Sequence, residues 1–99
     1  MSHILWQTQA LTQFSELLDY LDTTCSPSVG EQLLNEVNRK VALLESNPFI
    51  YRKTKRKAHV RRCLVNTHTV HYYQVNQSKK IVRLLAFWDS RRNPDQGLQ

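Results

Sequence analysis

Apolar residues recur through the first half of the chain at helical spacing. Leu11, Phe14, Leu17, Leu18 and Leu21 fall three or four residues apart, which places them on one face of a helix from about Thr8 to Thr24. Glu16, Asp19 and Asp22 fall largely on its outer side. Cys25-Ser-Pro-Ser then breaks the stripe. Pro27 cannot continue the first helix but suits the first turn of a second. Ser28-Val-Gly-Glu31 has capping-box spacing, in which the Ser and Glu side chains satisfy backbone donors reciprocally. Leu33, Leu34, Val37, Val41 and Leu44 form a second stripe that ends near Asn47-Pro48. So short a connection makes the two helices an antiparallel hairpin.

After Pro48 the pattern turns strand-like. HVRRCLV (59–65), TVHYYQV (69–75) and KIVRLLAF (80–87) are rich in Val, Ile, Tyr and Phe. Asn66-Thr67 and Asn76-Gln77-Ser78 separate them at hairpin lengths, so the three strands form an antiparallel meander. HILWQ (3–7) reads as a short first strand that can add at an edge. Helices grouped together and strands grouped together give an α+β fold: an N-terminal short strand and a helical hairpin packed on a three- to four-stranded antiparallel sheet. The expected organisation is a single domain over 1–94, followed by a flexible tail over 95–99.

Composition narrows the function. Cys25 and Cys63 have neither CxxC spacing nor a His/Cys cluster beside them, which argues against a zinc site and leaves open two free thiols or one disulfide. Two glycines in 99 residues leave no Gly-rich loop to cradle a phosphate, and no nucleotide fingerprint is present. No metal or cofactor is expected. No charged-then-apolar leader opens the chain and no apolar run approaches membrane-spanning length, so the expectation is a reduced, cytoplasmic protein that does not enter a membrane. Charge is the sharper signal. Residues 1–50 carry two basic and six acidic side chains, whereas residues 51–99 carry twelve basic and two acidic. The basic half is densest at RKTKRKAHVRR (52–62), where seven residues are Lys or Arg and none is acidic. Such density calls for a polyanionic partner: nucleic acid, the ribosome or an acidic protein.

Several stretches in this layout carry a family likeness. Trp6 precedes the first helix, which contains Ala10 and Leu17-Leu18-Asp19-Tyr20-Leu21. Val41-Ala-Leu-Leu-Glu-Ser-Asn-Pro48 leads into the basic loop, and Val60-Arg61 opens a strand. Tyr73 and Val75 lie in the next strand, and the last ends in Phe87-Trp88-Asp89-Ser90-Arg91-Arg92-Asn93-Pro94. In order and spacing these resemble the RelE/ParE superfamily of toxins from bacterial type II toxin–antitoxin modules, over roughly residues 4–94. The resemblance implies a toxin neutralised by direct binding of a cognate antitoxin, whose C-terminal segment wraps it in a hetero-oligomer. That segment should be acidic, to match the basic half. RelE-like members cleave mRNA in the ribosomal A site without metal, whereas ParE-like members act on DNA gyrase.

Metal-free RNA cleavage requires a base for the 2′-hydroxyl, cations for the phosphorane and an acid for the leaving oxygen. The resemblance implies that RelE-like toxins supply these from basic residues on the second and third strands, an Arg after the last strand and a C-terminal Tyr. This chain keeps Arg61 and Arg91, but has Val70 at the third-strand position, Cys63 at the neighbouring second-strand one, and no Tyr after Tyr73. His59, His68 and His71 are the other proton-transfer candidates, since imidazole titrates near neutrality. The candidate catalytic set is therefore Arg61, His71 and Arg91, while Asp89 beside Arg91 reads as an ion pair or turn cap. Three functions follow in order: a ParE-like toxin that inhibits DNA gyrase, a ribosome-dependent mRNA endoribonuclease, and a basic nucleic-acid-binding domain. Contacts to the target or to a polyanion would come from Arg52, Lys53, Lys55, Arg56, Lys57, Arg61, Arg62, Arg91 and Arg92, with Tyr72, Tyr73 and Trp88 available for stacking. Strand alternation sends Arg61 and Arg62 to opposite sheet faces, and Arg61 holds the superfamily's position.

Overall fold

Both apolar stripes become helices at the expected places. In a computed structural model that describes residues 1–55, 57 and 59–92, the order is β1 (His3–Trp6), α1 (Thr8–Thr24), α2 (Pro27–Ser46), β2 (Arg61–Leu64), β3 (Thr69–Asn76) and β4 (Ile81–Asp89). Pro27 is the first helical residue of α2, where its missing N–H has no intrahelical partner to lose. This places the cap on Ser26 rather than Ser28, so the expected capping box does not form. No side chain caps the helix, and the Ser26 and Ser28 hydroxyls lie 2.9 Å apart instead.

The helices bury narrower stripes than expected. α1 buries Ala10, Phe14, Leu17 and Leu21, and α2 buries Gly30, Leu33, Val37 and Leu44. Leu11 and Leu34, expected in the core, are 53% and 40% exposed. Ala10 and Gly30 are buried instead, and at Gly30 the missing side chain lets the helices sit close. A Cβ on Gly30 would lie 3.8 Å from the Leu18 side chain of α1 and 3.3 Å from an Asp22 carboxylate oxygen.

The sheet order is β1-β4-β3-β2. β2, β3 and β4 form the expected antiparallel meander. β1 adds at the edge, but runs parallel to β4, pairing His3 with Ile81 through Trp6 with Leu84, so the sheet is mixed. Parallel partners need a long crossover, and everything from α1 to β3 supplies it. β2 is shorter than its apolar run because the Val60 N–H turns back to the Lys57 carbonyl. Asn66 closes the β2–β3 turn by accepting from the His68 and Thr69 N–H groups through its side-chain oxygen. Asn76 does the same for Lys79 after β3.

β4 carries one extra residue. Tyr72 pairs with Ala86 and Tyr73 with Leu84, leaving Leu85 unmatched as a bulge. Alternation therefore shifts midway, so that Val82, Leu84, Phe87 and Asp89 are all buried. Beyond the Gln7 N–H, which bonds the Leu84 carbonyl, no strand flanks that side of β4 among the described residues, and the Phe87 N–H is met by the Gln13 side-chain carbonyl of α1 at 2.8 Å. Trp6, Phe14 and Phe87 stack there, with centroids 4.9–5.7 Å apart. Tyr73, Cys63 and Val65 complete the core between hairpin and sheet, while Val60, Val70 and Tyr72 form a smaller cluster with Leu85, Ala86 and Trp88.

Gly30 gives a clear expectation. Its nearest obstacle is the end of an exposed, flexible carboxylate, so Gly30→Ala adds a helix-favouring residue that only Asp22 must accommodate. Thermal or chemical denaturation should show a stabilisation of about 0.5–1 kcal/mol.

Candidate functional site

Alternation along β2 separates the two strand arginines, as expected. Arg61 stands opposite Tyr73, and Arg62 opposite Tyr72. Arg61 turns toward the chain that follows α2. Its Nη1 donates to the Tyr51 carbonyl at 2.7 Å, and its guanidinium sits 4.9 Å from the Phe49 ring centroid. The same segment is tied down by the Tyr73 hydroxyl, which donates to the Pro48 carbonyl at 3.0 Å. Tyr51 packs edge-on against Tyr73, and the Lys40 ammonium lies 5.9 Å from the Tyr51 ring centroid. Arg61 is thus engaged in holding residues 48–51 against the sheet.

Arg62, on the other face, has no such engagement. Its Nε is shut from solvent without a hydrogen-bond partner. The basic loop runs beside it as a short antiparallel ribbon. The Arg62 N–H bonds the Arg52 carbonyl, Lys53 bridges Arg61, and the Thr54 N–H bonds the Val60 carbonyl. Thr54 is buried and locks the turn, its hydroxyl donating to the Lys57 carbonyl at 2.7 Å and accepting from the Lys57 N–H at 3.1 Å. Arg52, Lys53, Lys55 and Lys57 remain exposed, and Arg56 lies outside the described residues.

The end of β4 holds a second constellation. Asp89 is buried and paired with Arg91, whose Nε and Nη2 donate to the two carboxylate oxygens at 3.0 and 2.8 Å. The Arg91 backbone N–H also donates to Asp89, at 2.8 Å, so the carboxylate serves as both ion-pair partner and turn cap. The buried Thr69 hydroxyl donates to the same carboxylate at 2.5 Å, and the Tyr20 hydroxyl of α1 holds the Arg91 carbonyl. Burial alone would raise the Asp89 carboxyl, but hydrogen bonds from Arg91 and Thr69, with the Arg91 charge, hold it below the ordinary carboxylate range. Hydrogen bonding to Asp89 strengthens the hold of Arg91 on its proton. Arg92 is exposed beside Glu16 and Trp88.

The three candidate catalytic residues do not converge. Arg61 is anchored beside Tyr73 and Arg91 beside Thr69, four residues apart on β3, or roughly 13 Å along the strand. His71 lies between them in sequence, with its side chain in the interior at 0% exposure. It packs against Tyr73 and Phe87 and stands opposite Cys63, and neither ring nitrogen has a hydrogen-bond partner. Burial lowers its pKa to about 4, so it is neutral at physiological pH. His59 and His68 are exposed, and His68 adjoins the last turn through its carbonyl, which accepts from the Ser90 N–H. Tyr72 and Tyr73 are buried and offer no ring face for stacking, whereas Trp88 is partly exposed. Both cysteines are free thiols; burial raises Cys63 to about 11, which keeps it protonated. No group of three or more His, Cys, Asp or Glu side chains suited to a metal occurs among the described residues. Nor is any helix among them long and apolar enough to cross a membrane.

Against this geometry, the family model described as "ParE toxin of type II toxin-antitoxin system, parDE" matches residues 4–94. The chain belongs to the ParE toxin family. This ParE-family chain shares its fold with the chromosomal ParDE toxin–antitoxin system of P. aeruginosa (TM-score 0.74, 13% identity, 90% of this chain and 96% of that one). It also resembles the intact E. coli RelBE toxin–antitoxin complex (0.63, 16%, 90% and 96%). A third likeness is the YoeB/ParE toxin from Agrobacterium tumefaciens (0.64, 11%, 90% and 98%). No curated protein sequence matches. Family and fold together place the chain in the RelE/ParE superfamily, as its motifs suggested.

Thr69, Tyr20 and Thr54 were not legible as members of these constellations, because each acts through a contact made only on folding. Thr54 alone had a local signal, a hydroxyl three residues before its partner Lys57.

Two groups make the ParE-family fold acid-sensitive in separate windows. The His71 pKa is depressed, so between about pH 6.5 and 4 the unfolded chain binds a proton that the folded chain refuses, and stability falls with pH across that interval. The loss should amount to about 3 kcal/mol, and His71→Phe should flatten it in denaturation curves taken at several pH values. The depressed Asp89 acts lower: its contribution is present above the unfolded carboxyl range and is lost as pH falls through its folded value. Asp89→Asn should cost about 2 kcal/mol at neutral pH, since it leaves the Arg91 guanidinium without its counter-charge.

Proposed function

We propose that this chain is the toxin of a type II module, restrained by a cognate antitoxin in the cytoplasm, and that it inhibits DNA gyrase by binding rather than by cutting RNA. The observation that carries the choice is the state of the three groups a RelE-like cleavage would use. His71 is buried and neutral, Arg91 is clasped on both carboxylate oxygens of Asp89, and Arg61 is engaged by Tyr51 and Phe49. A phosphodiester in transit needs a base, an acid and a cation within hydrogen-bond reach of one another. Here the cations are anchored apart and the imidazole between them is closed to solvent. A binding toxin has no such requirement.

The antitoxin part of the reading is supported by the kind of assembly in which its structural relatives occur: one is a ParDE toxin–antitoxin system and another an intact RelBE toxin–antitoxin complex. The charge of residues 51–92 favours a partner with an acidic segment.

The purified chain should be added to gyrase with relaxed plasmid and, separately, to a translating extract in which mRNA ends are mapped. The expected result is gyrase-dependent DNA breaks or lost supercoiling without new mRNA ends. Codon-phased mRNA cuts with gyrase untouched would overturn the gyrase reading and restore the endoribonuclease.

A further inference from the structure

The basic loop is a built pocket. Arg52, Lys53, Thr54, Lys55 and Arg62 line a cavity of about 330 Å³ where the loop ribbon runs beside β2. Four of these five side chains are cations and the fifth carries a hydroxyl. None of the four cations forms an ion pair among the described residues, where Arg91 with Asp89 is the one such pair. Arg62 is half-buried and lines the cavity; its Nε–H is closed to solvent and unpartnered, so an arriving acceptor meets the outer end of the guanidinium. The pocket's frame is also fixed beforehand: the ribbon bonds from Arg52 and Thr54 to β2, and the double hydrogen bond of Thr54 with Lys57, hold the lysine-bearing backbone in place. A preset cluster of donors and positive charge does not have to be ordered when its ligand arrives.

We infer that this pocket is a phosphate site that takes the backbone of a nucleic acid, with Arg62 as its central contact. The lining decides between the two polyanions a basic pocket can hold. Acidic peptides are recognised by apolar anchor pockets together with charge, and the apolar surface of this cavity's described lining is the stems of Arg, Lys and Thr rather than an apolar side chain. Phosphate backbones are held by Arg, Lys and hydroxyl donors alone, without sequence information. The Arg guanidinium matches two phosphate oxygens as a fork, while Lys53 and Lys55, whose long stems line the same cavity, act as point charges. The inference does not depend on the toxin reading, because it concerns the isolated protein and any nucleic acid.

The test is titration of a short fluorescein-labelled DNA duplex, and of its single strand, with the full chain between about 50 and 200 mM salt. Lys53→Gln/Lys55→Gln should weaken binding about tenfold at the low-salt end and lower the log–log salt slope by about two. Arg62→Gln should weaken it at least as much, and Arg62→Lys should recover the charge but not the fork, binding between the two. Circular dichroism checks that the Arg62 variants fold; if they do not, the exposed lysine pair decides the matter. Lys79→Gln is the charge-matched control for Arg62→Gln, and Lys79→Gln/Lys80→Gln for the lysine pair. Both lie on a turn outside the cavity lining and are compared also at about 200 mM salt, where the screening length is about 7 Å. Equal losses from the controls and their matched pocket variants would overturn the inference in favour of diffuse attraction. So would binding of poly-glutamate that depends on the pocket residues when neither DNA form binds. Either DNA form binding through the pocket supports the inference, and the stronger of the two names the source.

Discussion

The one extra residue in β4 determines what the rest of the molecule can be. Strand alternation has a period of two, so a strand without Leu85 as a bulge would turn Phe87 and Asp89 to the sheet face away from the helices. Phe87 would then leave its stack with Trp6 and Phe14, and α1 would lose its Phe14 and Gln13 contacts with β4. Asp89 would leave Thr69, and Arg91 would have no carboxylate to close on. The bulge comes where β1 has ended and no described strand flanks β4 on that side, so the backbone there is free to deviate. Gln13 meets the Phe87 N–H that this edge leaves over. A helix side chain, a strand irregularity and a buried ion pair are thus consequences of one shift in register.

The same alternation assigns different work to two neighbouring arginines. Arg61 faces an aromatic, carbonyl-rich segment and is absorbed into holding it, whereas Arg62 faces a ribbon of cations. Chemically the two side chains are identical. What differs is whether the groups opposite each are acceptors or donors, and that is settled by which face of a four-residue strand each occupies. The arginine expected at the superfamily's position is the one already engaged, and the unmatched charge belongs to its neighbour.

Much of the architecture was legible because it rests on local rules. α1 spans the predicted Thr8–Thr24, and Pro27 opens α2 as its fixed φ requires. The hairpin turns at Asn66 and Asn76 follow from side chains that bond their own loops. The misreadings share a cause in tertiary packing. Leu11 and Leu34 fit a helical stripe as well as Ala10 and Gly30 do, and only the close approach of α1 and α2 shows that the smaller residues face inward. The parallel sense of β1 depends on where the hairpin returns the chain, which no local period encodes. His71 sits in an alternating run, where a polar letter reads as outward; its burial follows from the neighbours that share its face, Tyr73 and Val75 on β3 and Phe87 on β4. The Asp89–Arg91 pair was readable from its two-residue spacing, but Thr69 and Tyr20 as its supports were not.

Where a partner can act on this surface follows from which charges are already matched. A phosphate arriving at Arg91 would have to displace a carboxylate that is buried and bonded by Thr69 as well, leaving that carboxylate unpaired at a cost of several kcal/mol. At Arg61 it would have to break the bond to the Tyr51 carbonyl and draw the guanidinium off the Phe49 ring. At Arg62, Lys53 and Lys55 it displaces no protein acceptor among the described residues, and it relieves the mutual repulsion of four cations around one cavity. The three sites carry the same type of charge, yet the free energy of reaching them differs by the worth of the interactions that must first be broken. A polyanion would therefore reach the loop side of β2 at the lowest cost, whereas Arg61 and Arg91 are engaged in holding the fold together.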